Sequence, residues 1–387
     1  MSSFRFLTAG ESHGKALVMI IEGIPVGLWL REEDIDHDLK RRQGGYGRGD
    51  RQKIEEDHAE ILSGIRYGKT MGSPISLLIK NRDWENWQQT MSVSAVEKET
   101  EPVTRLRPGH ADLAGVTKYN LYDVRPILER ASARETASRV AVGAVARRFL
   151  REFGVEIHSH TVGIGGCICE VSAPVDWEHV ETSSVRCADP EVEKKMMSAI
   201  DSAKESGDSV GGVFEVIAEG VPIGLGSHVH WDRKLDGRIA QAMMSINAVK
   251  GVEIGAGFDA ANALGSEVHD VVQLADNKQW KHITNRAGGI EGGMSNGESI
   301  VVRGAIKPIP TLSKPLPSVD LKSGKAVEAH VERSDVCVVP AAGVIGEAML
   351  AIVLADAFLE KFGGDHINET LRNYRNYLAS TGLREKP

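Results

Sequence analysis

Residues 129–154 read ERASARETASRVAVGAVARRFLREFG, and this run decides how the chain is built. Ser132 followed three residues later by Glu135 has the form of a capping box. In such a box a hydroxyl and a carboxylate satisfy free N–H groups at a helix start. The spacing beyond it predicts a strong helix to about Phe153, stopped by Gly154. A second strong helix is predicted over Pro340–Phe362, with proline near its start and Gly363-Gly364 past its end.

Around these two helices the pattern changes to strand and turn. Phe4–Ala9 reads as a short strand, followed by an apolar run over Lys15–Glu22. Gly163–Val171, Val213–Glu219 and Ser299–Ile306 read as strands. Arg31–Arg42 reads as an exposed helix with Ile35 and Leu39 on one face, and Pro190 to about Ser206 and Asp232 to about Ser245 as further helices. Asp83–Thr104 is polar and reads as a mobile loop. Strands and helices interleave without a βαβ rhythm, which predicts an α+β fold.

The chain has 387 residues, 41% hydrophobic and 26% charged, enough for a large core in one domain or two. A net charge of -8 excludes a nucleic-acid footprint over the whole surface. Any anion site must be a local basic pocket. Aromatics at 5% argue against a base-stacking platform, and 41 glycines imply many tight turns. Four cysteines make no disulfide framework. The start lacks the charge-then-apolar pattern of a signal peptide, and no stretch approaches the roughly 20 apolar residues of a membrane span. The expected compartment is the cytoplasm.

Three stretches concentrate unusual chemistry: Gly10–Gly14 with Ser12 and His13, Arg107–Asp112 with His110, and Glu129–Thr136 with Arg130, Ser132 and Arg134. Histidine titrates near neutrality, and arginine is a permanently charged fork for carboxylate and phosphate. His13 between glycines reads as a proton donor in a tight loop or as a plain turn histidine. The Ser132 segment reads as an anion cradle or as a well-capped helix. Lys40, Arg41, Arg42 and Arg48 form a basic cluster, which by itself reads as a solvated face. Asp335, placed before an apolar strand and Pro340, reads as a proton relay or as a partner of Arg333. Five glycines within Ala287–Gly297 make a loop, and neither a P-loop nor a Rossmann fingerprint is present. His158/His160, His228/His230 and Cys167/Cys169 lack the second half of a zinc site, so no metal is expected.

Taken in order, Gly10–Gly14, Arg107–Asp112, Glu129–Val140, Gly288–Lys307 and Arg333–Pro340 resemble the characteristic segments of the chorismate synthase family, along nearly the whole chain. The resemblance implies helices sandwiched between two antiparallel sheets, with internal pseudo-symmetry, in a single domain over residues 1–387. It implies a homotetramer. It implies conversion of 5-enolpyruvylshikimate 3-phosphate to chorismate by 1,4-anti elimination of phosphate, with reduced FMN and no net redox change. NADPH is a candidate reductant of that flavin, and an NADPH-dependent flavin reductase is the alternative activity. No nucleic-acid or membrane partner is expected.

The same resemblance implies roles. His13 corresponds to the group that protonates the leaving phosphate, His110 to a histidine beside the flavin, and Asp335 to an acid assisting hydrogen removal. Ser12 and Ser132 correspond to hydroxyl partners. Arg42, Arg48, Arg107, Arg134 and Arg333 correspond to an anion clamp, with Arg42 and Arg48 also associated with a nicotinamide phosphate. Arg130, Ala131, Ser132, Asn247, Ala248, Gly292, Lys307, Pro308, Ile309, Pro310, Thr311 and Arg333 correspond to FMN positions.

Overall fold

The computed structural model describes residues 3–49, 54–170, 174–275, 280–332 and 334–381. Four strands near the N-terminus, β1 (Arg5–Ala9), β2 (Ala16–Glu22), β3 (Glu60–Ser63) and β4 (Ile75–Lys80), pair antiparallel in the order β1-β2-β4-β3. Alternation sets which face of β2 is buried: Leu17, Met19 and Ile21 point inward while Ile20 stays exposed. A second sheet contains β5 (Glu156–Ile164), β6 (Cys167–Ile168), β7 (Gly212–Glu219), β8 (Val249–Ile254) and β9 (Ile300–Ile306), ordered β8-β9-β7-β5-β6.

Helices fill the space between the sheets. They are α1 (Glu32–Gln43), α2 (Asp112–Tyr119), α3 (Arg125–Ala131), α4 (Thr136–Arg151), α5 (Pro190–Glu205), α6 (Leu235–Met244), α7 (Val339–Phe362) and α8 (Ile367–Ala379), besides shorter turns. α4 packs under β1 and β2, α7 packs under β5 and β7, and the two helices pack on one another. The α+β expectation holds, with the helices between two antiparallel sheets. Gly143 makes the α4–α7 approach so close that a Cβ there would lie 2.3 Å from the Ala348 Cβ.

The 24-residue α7 is long and apolar enough to cross a membrane, which corrects the expectation that no stretch approaches that length. However, 94% of its apolar window is buried inside the protein. It is the central helix of the core.

Polar residues at the heart of the helical layer are matched. Glu347 on α7 is fully buried and accepts from Arg41 (2.6 and 2.8 Å), Arg147 (2.8 Å) and Ser159 (2.6 Å). Asp38 accepts from Arg147 at 2.9 Å. The basic turn Lys40–Arg42 is therefore not a solvated face. Lys40 alone is exposed, Arg41 enters this network, and Arg42 is buried on the opposite side.

Other local expectations are corrected. The strand expected over Gly163–Val171 lies earlier, as β5, because Gly165 and Gly166 adopt positive φ (+59° and +84°) and turn the chain into β6. Val171 itself lies outside the described residues. The apolar stretch before Pro340 is irregular up to Val338, and α7 begins at Val339. Ser132 does not head a reciprocal capping box. Its Oγ accepts from Arg134 N–H (3.3 Å), while the Glu135 carboxylate turns to Arg139. Asp83–Thr104 opens with a 3-10 turn over Arg82–Asn86 that packs inward.

Candidate active site

A cavity of about 620 Å³ opens where the two sheets and the helical layer meet. The β1–β2 turn supplies Ser12 and His13, and the end of α1 with its following loop supplies Arg42 and Arg48. Arg107, His110, Ser132, Arg134, Thr136, Asn247, Lys307, Thr311, Ser334 and Asp335 add polar groups, Glu55 and Glu332 add acids, and Ala131, Ala133, Ala248, Ile309 and Pro310 line it between them. Its apolar wall is Val338, Ala341, Ala342 and Ile345 at the start of α7, with Ile246 and Ile306.

The backbone is bent to shape this space. Gly10 has φ +107°, and a Cβ there would meet Ala16 O at 2.4 Å, so only glycine permits the turn that delivers His13. Ala248, a non-glycine residue, is held at φ +67° beside the cavity. Such strain persists only where surrounding structure enforces it, and it clusters at functional sites.

Both histidines are oriented by carboxylates. His13 Nδ1 donates to Glu129 Oε1 (2.9 Å), and its backbone N–H donates to Glu129 Oε2 (2.7 Å). His110 Nδ1 faces Asp112 Oδ1 in a short hydrogen bond. Burial pushes Asp112 up, but the hydrogen bonds from His110 and Arg107 and the Arg107 charge outweigh it and hold it well below the carboxylate range. Glu129 is likewise held low, its burial being outweighed by His13 and Arg125. An ionised carboxylate at Nδ1 requires a proton on that nitrogen, so Nε2 is the atom left to give or take one. The hydroxyls of Ser12 and Ser132 meet at 3.1 Å.

The cations are buttressed from behind. Arg107 donates to Asp112 from its backbone N–H, Nε and Nη2 (3.0, 2.9 and 3.0 Å). Arg134 reaches Asp57 (2.5 Å) and Asn81 (2.9 Å), and Arg42 reaches Thr136 Oγ1 and Ala133 O (3.0 Å each) with Asp57 at 3.4 Å. Burial pushes Arg42 down to about 10, against the pull of Asp57, which leaves it charged at neutral pH. Arg48 pairs with Asp335 at 3.4 Å, and Asp335 also accepts the Gly49 N–H at 2.6 Å. Lys307 donates to Gly109 O, and burial and Lys250 push its ammonium down. Cations held rigidly by buried acids are preorganised for an anionic guest.

Among the described residues, Arg48 Nε, Arg134 Nη2 and Asn247 Oδ1 in this lining lack a hydrogen-bond partner, although Arg134 Nη2 stands 3.7 Å from a Glu55 carboxylate oxygen. Buried polar atoms are normally paired, so orphans gathered in one cavity point to ligand atoms. The Arg48 donor suits an anion. An amide oxygen near an apolar wall suits a flat ring that carries N–H groups. The residues present fit a flavin beside a polyanion.

Most residues expected at the site do line this cavity, but three do not. Arg130 folds outward, its guanidinium donating to Gly10 O (2.9 Å) and Thr8 O (3.0 Å). Gly292 sits in a tight hairpin away from the cavity, and Pro308 lines only a shallow neighbouring recess. Arg333 lies outside the described residues. Asp112 sits on His110 Nδ1, as its place two residues after that ring suggests, whereas Trp87 as a wall residue, Glu129 as the carboxylate set on His13, and Asp57 and Asn81 as buttresses were not read from the sequence. One signal was available: a cationic pocket in an acidic protein needs buried counter-acids.

Fold and cavity together define an α+β protein with a site lined by fixed cations, two carboxylate-set histidines and an apolar wall. The chorismate synthase family profile matches residues 4–359. A chorismate synthase of Moorella thermoacetica is 58% identical over 380 residues, covering 97% of this chain and 99% of the relative. One of Aquifex aeolicus is 56% identical over 386 residues, covering 97% of each. A solved crystal structure of chorismate synthase superposes with a TM-score of 0.78 at 48% identity, covering 98% of each chain. The chain belongs to the chorismate synthase family.

Proposed function

We propose that this chain converts 5-enolpyruvylshikimate 3-phosphate to chorismate by 1,4-anti elimination of phosphate. It is a carbon–oxygen lyase of the shikimate pathway. The observation that carries this reading is a single cavity joining two carboxylate-oriented histidines, five fixed cations and an apolar wall.

The substrate bears two carboxylates and a phosphate, and Arg42, Arg48, Arg107, Arg134 and Lys307 give that charge several fixed partners. Arg42 and Arg48 line the same cavity as both histidines, which supports assigning them to this anion. His13 donates from Nε2 to the departing phosphate, with Ser12 and Ser132 as hydroxyl partners. His110, locked to Asp112, holds a proton at the flavin. Asp335, paired with Arg48, assists removal of the ring hydrogen.

Ala131, Ser132, Asn247, Ala248, Lys307 and Ile309–Thr311 hold reduced FMN, with α7 as the apolar side. When bound, reduced FMN supplies electron density to the substrate ring as phosphate leaves, which lets a weakly acidic hydrogen depart. The working assembly is a homotetramer of single-domain chains in the cytoplasm. Four free thiols suit a reducing compartment. Flavin reduction by NADPH as the main activity is not favoured, because the relatives carry the lyase name.

The test is an anaerobic assay with chemically reduced FMN. Phosphate and chorismate are expected to appear together, in equal amounts, without NADPH consumption. Stoichiometric loss of reductant, or phosphate release without chorismate, would overturn the assignment.

A further inference from the structure

His13 is gripped from two sides by residues that the family resemblance did not bring forward. Glu129, whose side chain is fully buried, spans the His13 backbone N–H with one oxygen and Nδ1 with the other. The oxygen at Nδ1 also accepts from Arg125 Nη1 (3.3 Å), and Arg125 continues to Glu332 (3.1 Å). Burial raises Glu332, but His330 and Arg125 bring it down to about 2, so this chain is charged at neutral pH.

On its face, His13 is covered by an indole. The Trp87 ring stacks on the imidazole with centroids 3.9 Å apart and planes 28° from parallel. The same indole has the Arg125 guanidinium 5.1 Å from its centroid. Trp87 is itself pinned, its Nε1–H donating to Asp83 Oδ2 (3.0 Å) while Asn86 donates to Oδ1 (2.8 Å). Asp83 is 2% exposed. A polar, mostly exposed segment thus delivers one large aromatic to one catalytic ring.

The geometry points to Glu129 and Trp87 as the positioning residues of His13: the carboxylate selects Nε2 as the nitrogen facing the cavity, and the indole holds the ring plane. This deepens the reading of His13 as the proton donor to the leaving phosphate. An acid poised on the wrong nitrogen, or on a ring free to rotate, loses the geometry that proton transfer needs.

The Glu129→Gln variant sharpens the argument. The His13 backbone N–H at 2.7 Å claims the amide oxygen. The amide NH2 is then left against Nδ1. That nitrogen must become an acceptor, which moves the ring proton to Nε2.

The test uses the full chain without ligands, labelled with 15N-histidine. Spectra are taken through a pH series, and the tautomer is read on the alkaline plateau, where the ring signals no longer change with pH. The wild-type His13 signals should report a proton on Nδ1, and Glu129→Gln should report it on Nε2. Trp87→Ala should keep the wild-type tautomer but move the His13 ring-proton signals downfield, through loss of the indole ring current.

In turnover, Glu129→Gln should cut kcat about 100-fold with little change in KM, because the imidazolium form that donates from Nε2 loses the carboxylate that supports its charge. Glu129→Asp should recover part of that loss. Trp87→Phe should retain more activity than Trp87→Ala. A wild-type tautomer in Glu129→Gln, or ring-proton signals unmoved in Trp87→Ala, would overturn the inference. The spectra need no substrate. A failure of the lyase reading would therefore appear as correct tautomers in a wild-type protein that makes no chorismate.

Discussion

His110 and Asp112 show at the smallest scale how this protein prepares chemistry. Asp112 is fully buried, meets the imidazole at Nδ1 and takes three hydrogen bonds from Arg107. One carboxylate thus sets both a proton-carrying ring and a cationic fork. His13→Ala and His110→Ala should each lower kcat by about 100- to 10,000-fold. Near-UV circular dichroism should stay at wild type, because both rings stand at a cavity wall and not in the core. Normal turnover in both variants would refute their roles. The histidines were legible in the sequence because glycine, proline and arginine crowd around them. Their partners were not all so legible. Glu129 lies 116 residues from His13, and Asn81 lies 53 from Arg134. No local spacing announces a contact that only the tertiary fold creates.

At the level of elements, α4 and α7 organise everything else. Both were readable from one chain because each is a long apolar run with clear stops at Gly154 and Gly363. What the pattern did not show is which faces meet. Gly143 is the point of closest approach, and side chains larger than hydrogen have no room there. Gly143→Val should force the helices apart and cost about 1–3 kcal/mol, measured by chemical unfolding. Unchanged stability would contradict this packing. Glu347→Gln should also cost about 1–3 kcal/mol, since it removes the fully buried carboxylate shared by Arg41 and Arg147 and leaves them Asp38, with Glu181 for Arg41. The strand register also marks where sequence reading stops. β5 carries His158, Ser159 and His160 on polar and apolar faces alike, so its alternation is masked, and the glycines that end it resemble a strand interior.

Across the whole molecule, buried carboxylates tie stability to pH. Asp38, Asp112, Glu129, Glu181 and Glu347 all lie below their ordinary values: burial raises each, and neighbouring arginines or histidines more than reverse it. Their folded values lie beneath the unfolded ones. The stability they add is therefore present at neutral pH and lost as pH falls through the acid range. Thermal unfolding midpoints should stay level from about pH 7 to 5 and fall below about pH 4. A midpoint that rises on acidification would contradict this. The layered α+β order was predictable from the uneven mix of strands and helices. The sheet orders were not, because β4 pairs with both β2 and β3, and β9 with both β7 and β8, across long separations.

The central claim is that one cavity holds a triply acidic substrate and a flavin together. A crystal structure of the full chain with oxidised FMN and 5-enolpyruvylshikimate 3-phosphate tests it most directly. Both molecules are expected within the lining described, with the phosphate beside His13, a new partner for Arg48 Nε, and the flavin ring against α7. Either molecule bound elsewhere, with no ligand atom at Arg48 Nε, would contradict it.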